Sequence, residues 1–150
     1  MKKMMSVAAV ALLLALGASA DGPKPPSTED SFVASVADAK WVVPKIPGFP
    51  SGVMASPIAV DPGSGQSVGY AKFAPGVSFP LHWHSATEYS VLLAGKATLT
   101  VDGKAHELAP GSYFVIPAKA QHKLDCAAGA DCLLLTRRGG PTDYHFVGKE

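Results

Sequence analysis

The stretch at positions 81–90, LHWHSATEYS, sets two of the chain's five histidines on either side of Trp83 and follows them with a carboxylate. On a β-strand, side chains two residues apart share a face, so His82 and His84 project together while Trp83 points away. Ser85, Ala86 and Thr87 can make a turn, after which Glu88 opens the next strand beside the imidazoles. The segment IPAKAQHKL offers a third imidazole, His122, again on an expected strand. Three imidazoles and one carboxylate suit one borderline divalent ion, such as Zn, Fe, Mn, Ni or Cu. An ionised glutamate buried without a metal or another partner would be costly. The competing reading is a solvated strand on which these residues meet by chance, and the string His-x-His-x-x-x-Glu alone does not choose between the two.

The elements that must position these residues read as strands. From residue 57 onward the runs SVGYAKF, SFPLHWH, EYSVLLA, KATLTV, SYFVIP, QHKLDC and CLLLTRR are rich in β-branched and aromatic residues, with Gly or Pro at nearly every break between them. Asp102-Gly103 is a two-residue hairpin signal. No amphipathic helix of three turns is visible after Lys40. Many short strands at regular spacing imply an all-β sandwich or barrel. Its walls would draw on Phe73, Leu92, Leu99, Phe114 and Ile116, although a one-residue slip in register exchanges the two faces of a strand. Upstream, residues 21–40 read as a flexible lead-in with one weak helical turn. The prolines at 44, 47 and 50 then keep WVVPKIPGFPSG extended along the domain, with Trp41 as its anchor.

The first twenty residues have the layout of a secretory signal peptide. A short basic stretch, MKKMM, precedes an apolar run, and Ala18 and Ala20 occupy the small-residue positions of a cleavage site after Ala20. The apolar run is short for a membrane anchor, which needs about 20 such residues. Cleavage removes Lys2 and Lys3 and leaves eleven basic side chains against twelve acidic ones, with no basic run. Nucleic acid and anionic membrane surfaces are therefore poor partners, and residues 41–150 suit a single domain. The only two cysteines, Cys126 and Cys132, fit export. In an oxidising compartment they would form a disulfide across a hairpin tip, HKLDC-AAGAD-CLLLT. The competing reading is a pair of reduced, half-buried thiols.

Read outward from the histidines, the spacing is Gly76, five residues, His82-Trp83-His84, three residues, Glu88, six residues, Gly95. This resembles the first cupin motif at each fixed position. A second segment, Gly111, five residues, Pro117-Ala118-Lys119, two residues, His122, three residues, Cys126, resembles the second motif with two departures. Lys119 stands where a glycine is usual, so the turn must be made by a residue with a Cβ. Cys126 stands where an asparagine is usual. The fifteen residues between Gly95 and Gly111 match the short spacing of compact microbial cupins. The resemblance covers roughly residues 67 to 137. It implies a double-stranded β-helix (jelly-roll barrel), one divalent transition metal on His82, His84, Glu88 and His122, a small-molecule ligand, and in many members a homodimer.

The resemblance spans many activities, and fold does not choose among them. The complete ligand set favours a metal-dependent enzyme, dioxygenase-like, acting on a small and largely apolar oxygen-bearing molecule. The alternatives are a non-catalytic binding or sensor protein and a sugar isomerase, the latter lacking an identifiable base. Of the remaining residues, His106 is expected to face solvent and His145 to lie in a C-terminal tail folded back across the barrel. Arg137 and Arg138 are expected to be solvated, with the alternative that one of them binds an acidic ligand; Tyr89 and Tyr113 are expected to pack, and Trp83 to sit between sheets or at a dimer contact.

Overall fold

The computed structural model describes Ser27 and residues 31 to 148. The expected signal segment and most of residues 21–30 lie outside the described residues. After a short 3-10 turn, Val36–Asp38, come ten strands: β1 Val53–Val60, β2 Ser67–Phe73, β3 Ser78–Trp83, β4 Glu88–Ala94, β5 Ala97–Val101, β6 Lys104–Leu108, β7 Tyr113–Ile116, β8 His122–Cys126, β9 Cys132–Arg138 and β10 His145–Phe146. They form two five-stranded antiparallel sheets, ordered β1-β2-β9-β4-β7 and β10-β3-β8-β5-β6, in a jelly-roll arrangement.

Period-two alternation explains why these residues form sheets with one face inward. Glu88, Ser90 and Leu92 of β4 are buried, while Tyr89 and Val91 between them are half-buried. His122, Leu124 and Cys126 repeat the pattern on β8. The enclosed face gathers Val53, Phe73, Phe79, Leu92, Leu99, Ile116, Leu124 and Leu134, each side chain contributing about 1.5–3 kcal/mol on burial. β3 breaks the alternation. Its ladder with β8 shifts register between Phe79 and His82, and this irregularity, at Pro80, lets Phe79 and His82 both face inward although they are three positions apart. Proline has no N–H to donate to a ladder, which suits it to such a place.

The expected strands are present, and three elements lie beyond them. β1 starts at Val53 and tolerates Pro57 because it is a sheet edge whose register shifts between Pro57 and Ala59. β6 has four exposed residues in five and so carries no alternation to read. β10 holds only by pairing with β3. The Asp102-Gly103 hairpin forms as expected, joining β5 to β6 with φ of 46° and 81°, both positive as its turn type requires. The extended segment before β1 is held differently from expectation. Trp41 is only half-buried, beneath Lys72 Nζ at 4.7 Å. Val42 exchanges two backbone hydrogen bonds with Ala55, at 2.8 and 2.9 Å, and Phe49 packs edge-on to Phe79 and Tyr144 at 5.1 and 5.4 Å.

Cys126 and Cys132 are joined, with Cα atoms 5.8 Å apart. The hairpin geometry expected for them is corrected, however. β8 and β9 belong to different sheets, Cys126 pairing with Ala97 in one and Cys132 with Phe73 in the other. The disulfide therefore fastens the two sheets together where the chain crosses between them. Gly95 makes this crossing possible, since a Cβ there would lie 2.5 Å from the carbonyl oxygen of Asp131. So short a closed loop stabilises the fold by about 2 kcal/mol through the unfolded chain. Replacing both cysteines by serine should lower the unfolding free energy by about that much in a urea titration, and an unchanged midpoint would contradict the role assigned to this bond.

Candidate metal centre

Strand register brings the three histidines to one end of the sandwich interior. His82 on β3 lies directly opposite His122 on β8, and His84 follows immediately after β3. One ring nitrogen from each falls within 4.8 Å of the other two, and all three residues are nearly fully buried. The turn Pro117–Ala120, closed by the Ala120 N–H donating to the Pro117 carbonyl at 3.1 Å, precedes His122. Lys119, the residue in place of the usual glycine, adopts φ 67°, a left-handed conformation uncommon for a side-chain-bearing residue. Its backbone N–H donates to the His84 carbonyl at 2.8 Å.

Each imidazole is oriented by a backbone carbonyl. Nδ1 of His82 lies 2.8 Å from the Pro80 oxygen, Nδ1 of His84 2.5 Å from the Asp143 oxygen, and Nδ1 of His122 3.0 Å from the Ala120 oxygen. A carbonyl only accepts, so each Nδ1 carries the hydrogen, and in the neutral ring the Nε2 lone pair points the other way. Nε2 of His82 and of His84 then stand 3.1 Å apart. Burial, with the charges of His122 and His84 beside it, pushes the His82 imidazole down to about 3. Burial also lowers His122. Both rings are lone-pair donors at neutral pH.

Glu88 reaches the site from the other sheet. Its Oε2 is 3.2 Å from His84 Nε2 and 2.9 Å from Arg138 Nη2, and its Oε1 accepts from Ser90 Oγ at 2.8 Å. Burial favours the neutral acid, but the Arg138 guanidinium, helped by His84, outweighs it and holds the carboxyl well below the usual range. The Arg138 position corrects the expectation of a solvated side chain: it is 7% exposed. Register explains why. Arg138 is the direct cross-strand partner of Glu88, as Thr136 is of Ser90 and Leu134 of Leu92, so β4 and β9 present matching inward rows. The alternation Leu134, Thr136, Arg138 was the available signal, since the apolar member of the row already had to face inward.

Above the histidines, a cavity of about 60 Å³ extends into the sandwich. Of the five candidate wall residues, Phe73, Leu99, Phe114 and Ile116 line it, and Leu92 is fully buried in the core. His82, His122, Glu88, Arg138, Phe49 and Tyr144 complete much of the wall. Tyr144 was not singled out by the sequence. It comes from the C-terminal segment, which folds back as expected of the tail bearing His145, and its ring lies 5.0 Å from that of His84 and 5.2 Å from the Arg138 guanidinium carbon. Burial pushes its phenol up. Trp83 is neither between the sheets nor left bare; it stacks on His145 at 3.8 Å. His106 is exposed on β6 and takes no part.

The buried rings set the response of the metal-free protein to acid. His82 titrates near 6.5 when unfolded and about 3 when folded, so the unfolded chain binds more protons and stability falls as pH drops through that window. Glu88, also depressed in the fold, adds a further loss below about 4.5. Thermal unfolding of chelator-treated protein should therefore show a falling midpoint from pH 7 to pH 4, and a flat profile would contradict the burial of neutral imidazoles.

Comparison with known proteins agrees with this architecture. The family described as "Cupin domain" matches residues 69–136. Dimethylsulfoniopropionate lyase DddW of Ruegeria pomeroyi is 36% identical over 55 residues, which cover 37% of this chain and 36% of the lyase, so the match spans little more than a third of that relative. The polyketide cyclase RemF from Streptomyces resistomycificus superposes with a TM-score of 0.67 at 19% identity, over 81% of this chain and 88% of its own. Salicylate 1,2-dioxygenase from Pseudoaminobacter salicylatoxidans superposes with a TM-score of 0.57 at 15% identity, over 67% of this chain and 30% of its own. The last two are likenesses of fold. Both motifs, the two-sheet sandwich and the domain matched at residues 69–136 agree in supporting the cupin superfamily.

Proposed function

We propose that the chain is an exported, metal-dependent cupin enzyme of dioxygenase type, acting on a small oxygen-bearing organic molecule. The observation that carries this reading is the convergence of three imidazole lone pairs whose opposite nitrogens are all tied to backbone carbonyls. Two occupants could relieve their repulsion. A proton held between Nε2 of His82 and Nε2 of His84, 3.1 Å apart, relieves the repulsion of those two rings alone. A divalent transition ion satisfies all three; Glu88, outside that group of converging atoms and 3.2 Å from His84 Nε2, is a further candidate ligand. The donor set of nitrogen and carboxylate oxygen suits such an ion, and the carbonyl bonds at Nδ1 are the outer partners that orient metal-binding histidines.

When bound, the ion supplies Lewis acidity toward an oxygen of the ligand. The chain's own residues do the rest. His82 and His122 arrive neutral and need shed no proton to bind. The apolar wall of Phe73, Leu99, Phe114 and Ile116 keeps water few and strengthens electrostatic interactions within the cavity. Phe49 and Tyr144 are part of its wall, and a cavity of about 60 Å³ restricts the ligand to a few heavy atoms. The likeness to a salicylate dioxygenase supports oxygen chemistry, and the inter-sheet disulfide is compatible with export. A second reading, lyase chemistry, is favoured by the sequence similarity to the Ruegeria lyase.

Elemental analysis of the purified protein should find one transition ion per chain. His82→Ala with His84→Ala should remove it, while His106→Ala, on an exposed strand, should retain it. Full occupancy in the double variant would overturn the assignment. Oxygen uptake by the loaded protein across a panel of small ketones, phenols and hydroxy acids separates the two chemistries. Uptake supports the dioxygenase reading, whereas substrate cleavage without oxygen supports the lyase.

A further inference from the structure

Arg138 has more hydrogen-bonding capacity than the fold uses. Its guanidinium is always charged and carries five N–H donors. The ion pair with Glu88 occupies Nη2 at 2.9 Å, yet Nε and Nη1, both shielded from solvent, have no hydrogen-bond partner among the described residues. Buried polar groups are nearly always paired, and a buried donor left without an acceptor costs about 1–3 kcal/mol. A chain that needed Arg138 only to neutralise Glu88 would have no use for the remaining donors. Lysine would supply the charge with fewer fixed directions.

Arg138 lies in the wall of the same cavity as His82 and His122. A single atom, Glu88 Oε2, is within 2.9 Å of Arg138 Nη2 and within 3.2 Å of His84 Nε2, so the guanidinium and the imidazole group are separated by about the span of one oxygen. The cavity of about 60 Å³ admits only a compact ligand between them. Elsewhere its wall is mainly apolar; Thr136 and Tyr144 are its neutral polar side chains, and the Tyr144 ring lies 5.2 Å from the Arg138 guanidinium carbon. An anionic oxygen is the acceptor that a desolvated guanidinium prefers, and its fork geometry matches a carboxylate.

We propose that Arg138 is the anchor for a substrate carboxylate, and that the substrate is a small organic acid bearing a second oxygen on the neighbouring carbon, a 2-hydroxy or 2-oxo acid. The carboxylate accepts from the unused guanidinium donors, and the second oxygen reaches the imidazole end of the cavity. This rests on the metal-dependent reading above for the role of the second oxygen. The carboxylate contact itself needs only Arg138. It also narrows the substrate from the largely apolar molecule that the sequence suggested to one with a charged end.

The test compares glycolate with its neutral counterpart glycolamide, titrated by calorimetry into wild-type protein, Arg138→Lys and Arg138→Gln, each first analysed for metal. Wild type should bind glycolate at least about tenfold more tightly than glycolamide, as expected for loss of one charge-assisted contact. Arg138→Gln should keep its metal and lose that preference. Arg138→Lys preserves the charge beside Glu88, so it should remain folded even if the glutamine variant does not, and it too should lose most of the preference. Equal affinity of wild type for the two probes would overturn the proposal, as would a folded lysine variant that kept the full preference. If wild type proves metal-free, the metal reading fails by itself. The same titration still decides for Arg138: a preference lost in either variant supports the carboxylate anchor, and a preference kept in both rejects it.

Discussion

Three lone pairs aimed at one another inside a protein repel unless something electron-poor lies between them. That constraint organises this molecule. The rings of His82, His84 and His122 cannot turn away, because each Nδ1–H is held by a carbonyl of the chain's own backbone. Two of those carbonyls, from Pro80 and Ala120, come from local irregularities that regular strands would not provide. The third, from Asp143, comes from the far end of the chain. The irregularity at Pro80, the left-handed Lys119 and the returning C-terminal segment are therefore parts of one arrangement. Each departs from ideal β geometry where an imidazole must be aimed.

The opposite sheet supplies charge in place of lone pairs. Glu88 and Arg138 form a buried cross-strand pair at the edge of the cavity, and further along the same strands the facing residues become Ser90 with Thr136 and then Leu92 with Leu134. Polarity thus falls along the interior from the histidine end toward the core. A buried ion pair of this kind is a weak source of stability, because desolvation offsets the attraction. Its value is in specificity: it holds a carboxylate ionised next to the histidines and presents a cation to whatever enters. The disulfide fixes the distance between the sheets at the β8–β9 crossing, so the two halves of the site face each other across a defined gap.

A layer of rings packs around the site. Phe49 arrives from before β1, Tyr144 from after β9, and Phe79 and Phe146 from the sheet that carries the histidines. Edge-on and tilted contacts at 5 to 6 Å contribute about 0.5–1.5 kcal/mol each beyond their burial. They bring the segment before β1 and the segment after β9 together at the cavity wall. Part of the cavity wall therefore comes from segments outside the strands that carry the histidines and Glu88.

Much of this was legible in the sequence, and the limits have a physical origin. Period-two spacing placed His82 beside His84, and the composition of short strands between Gly and Pro breaks identified an all-β sandwich, because burial of one face is a local demand that each strand records in its own residues. The Asp102-Gly103 turn was readable for the same reason. What stayed hidden depends on which strand lies next to which. Nothing within CLLLTRR says that Arg138 will face Glu88, and nothing within HKLDC says that Cys126 will meet its partner across two sheets and not across a hairpin. Tyr144 gained its place only because two residues of β10 pair with β3. Local chemistry determined the donors and the class of fold. Long-range register, set by packing the two sheets together, decided their partners, the shape of the cavity and the buried cation at its wall.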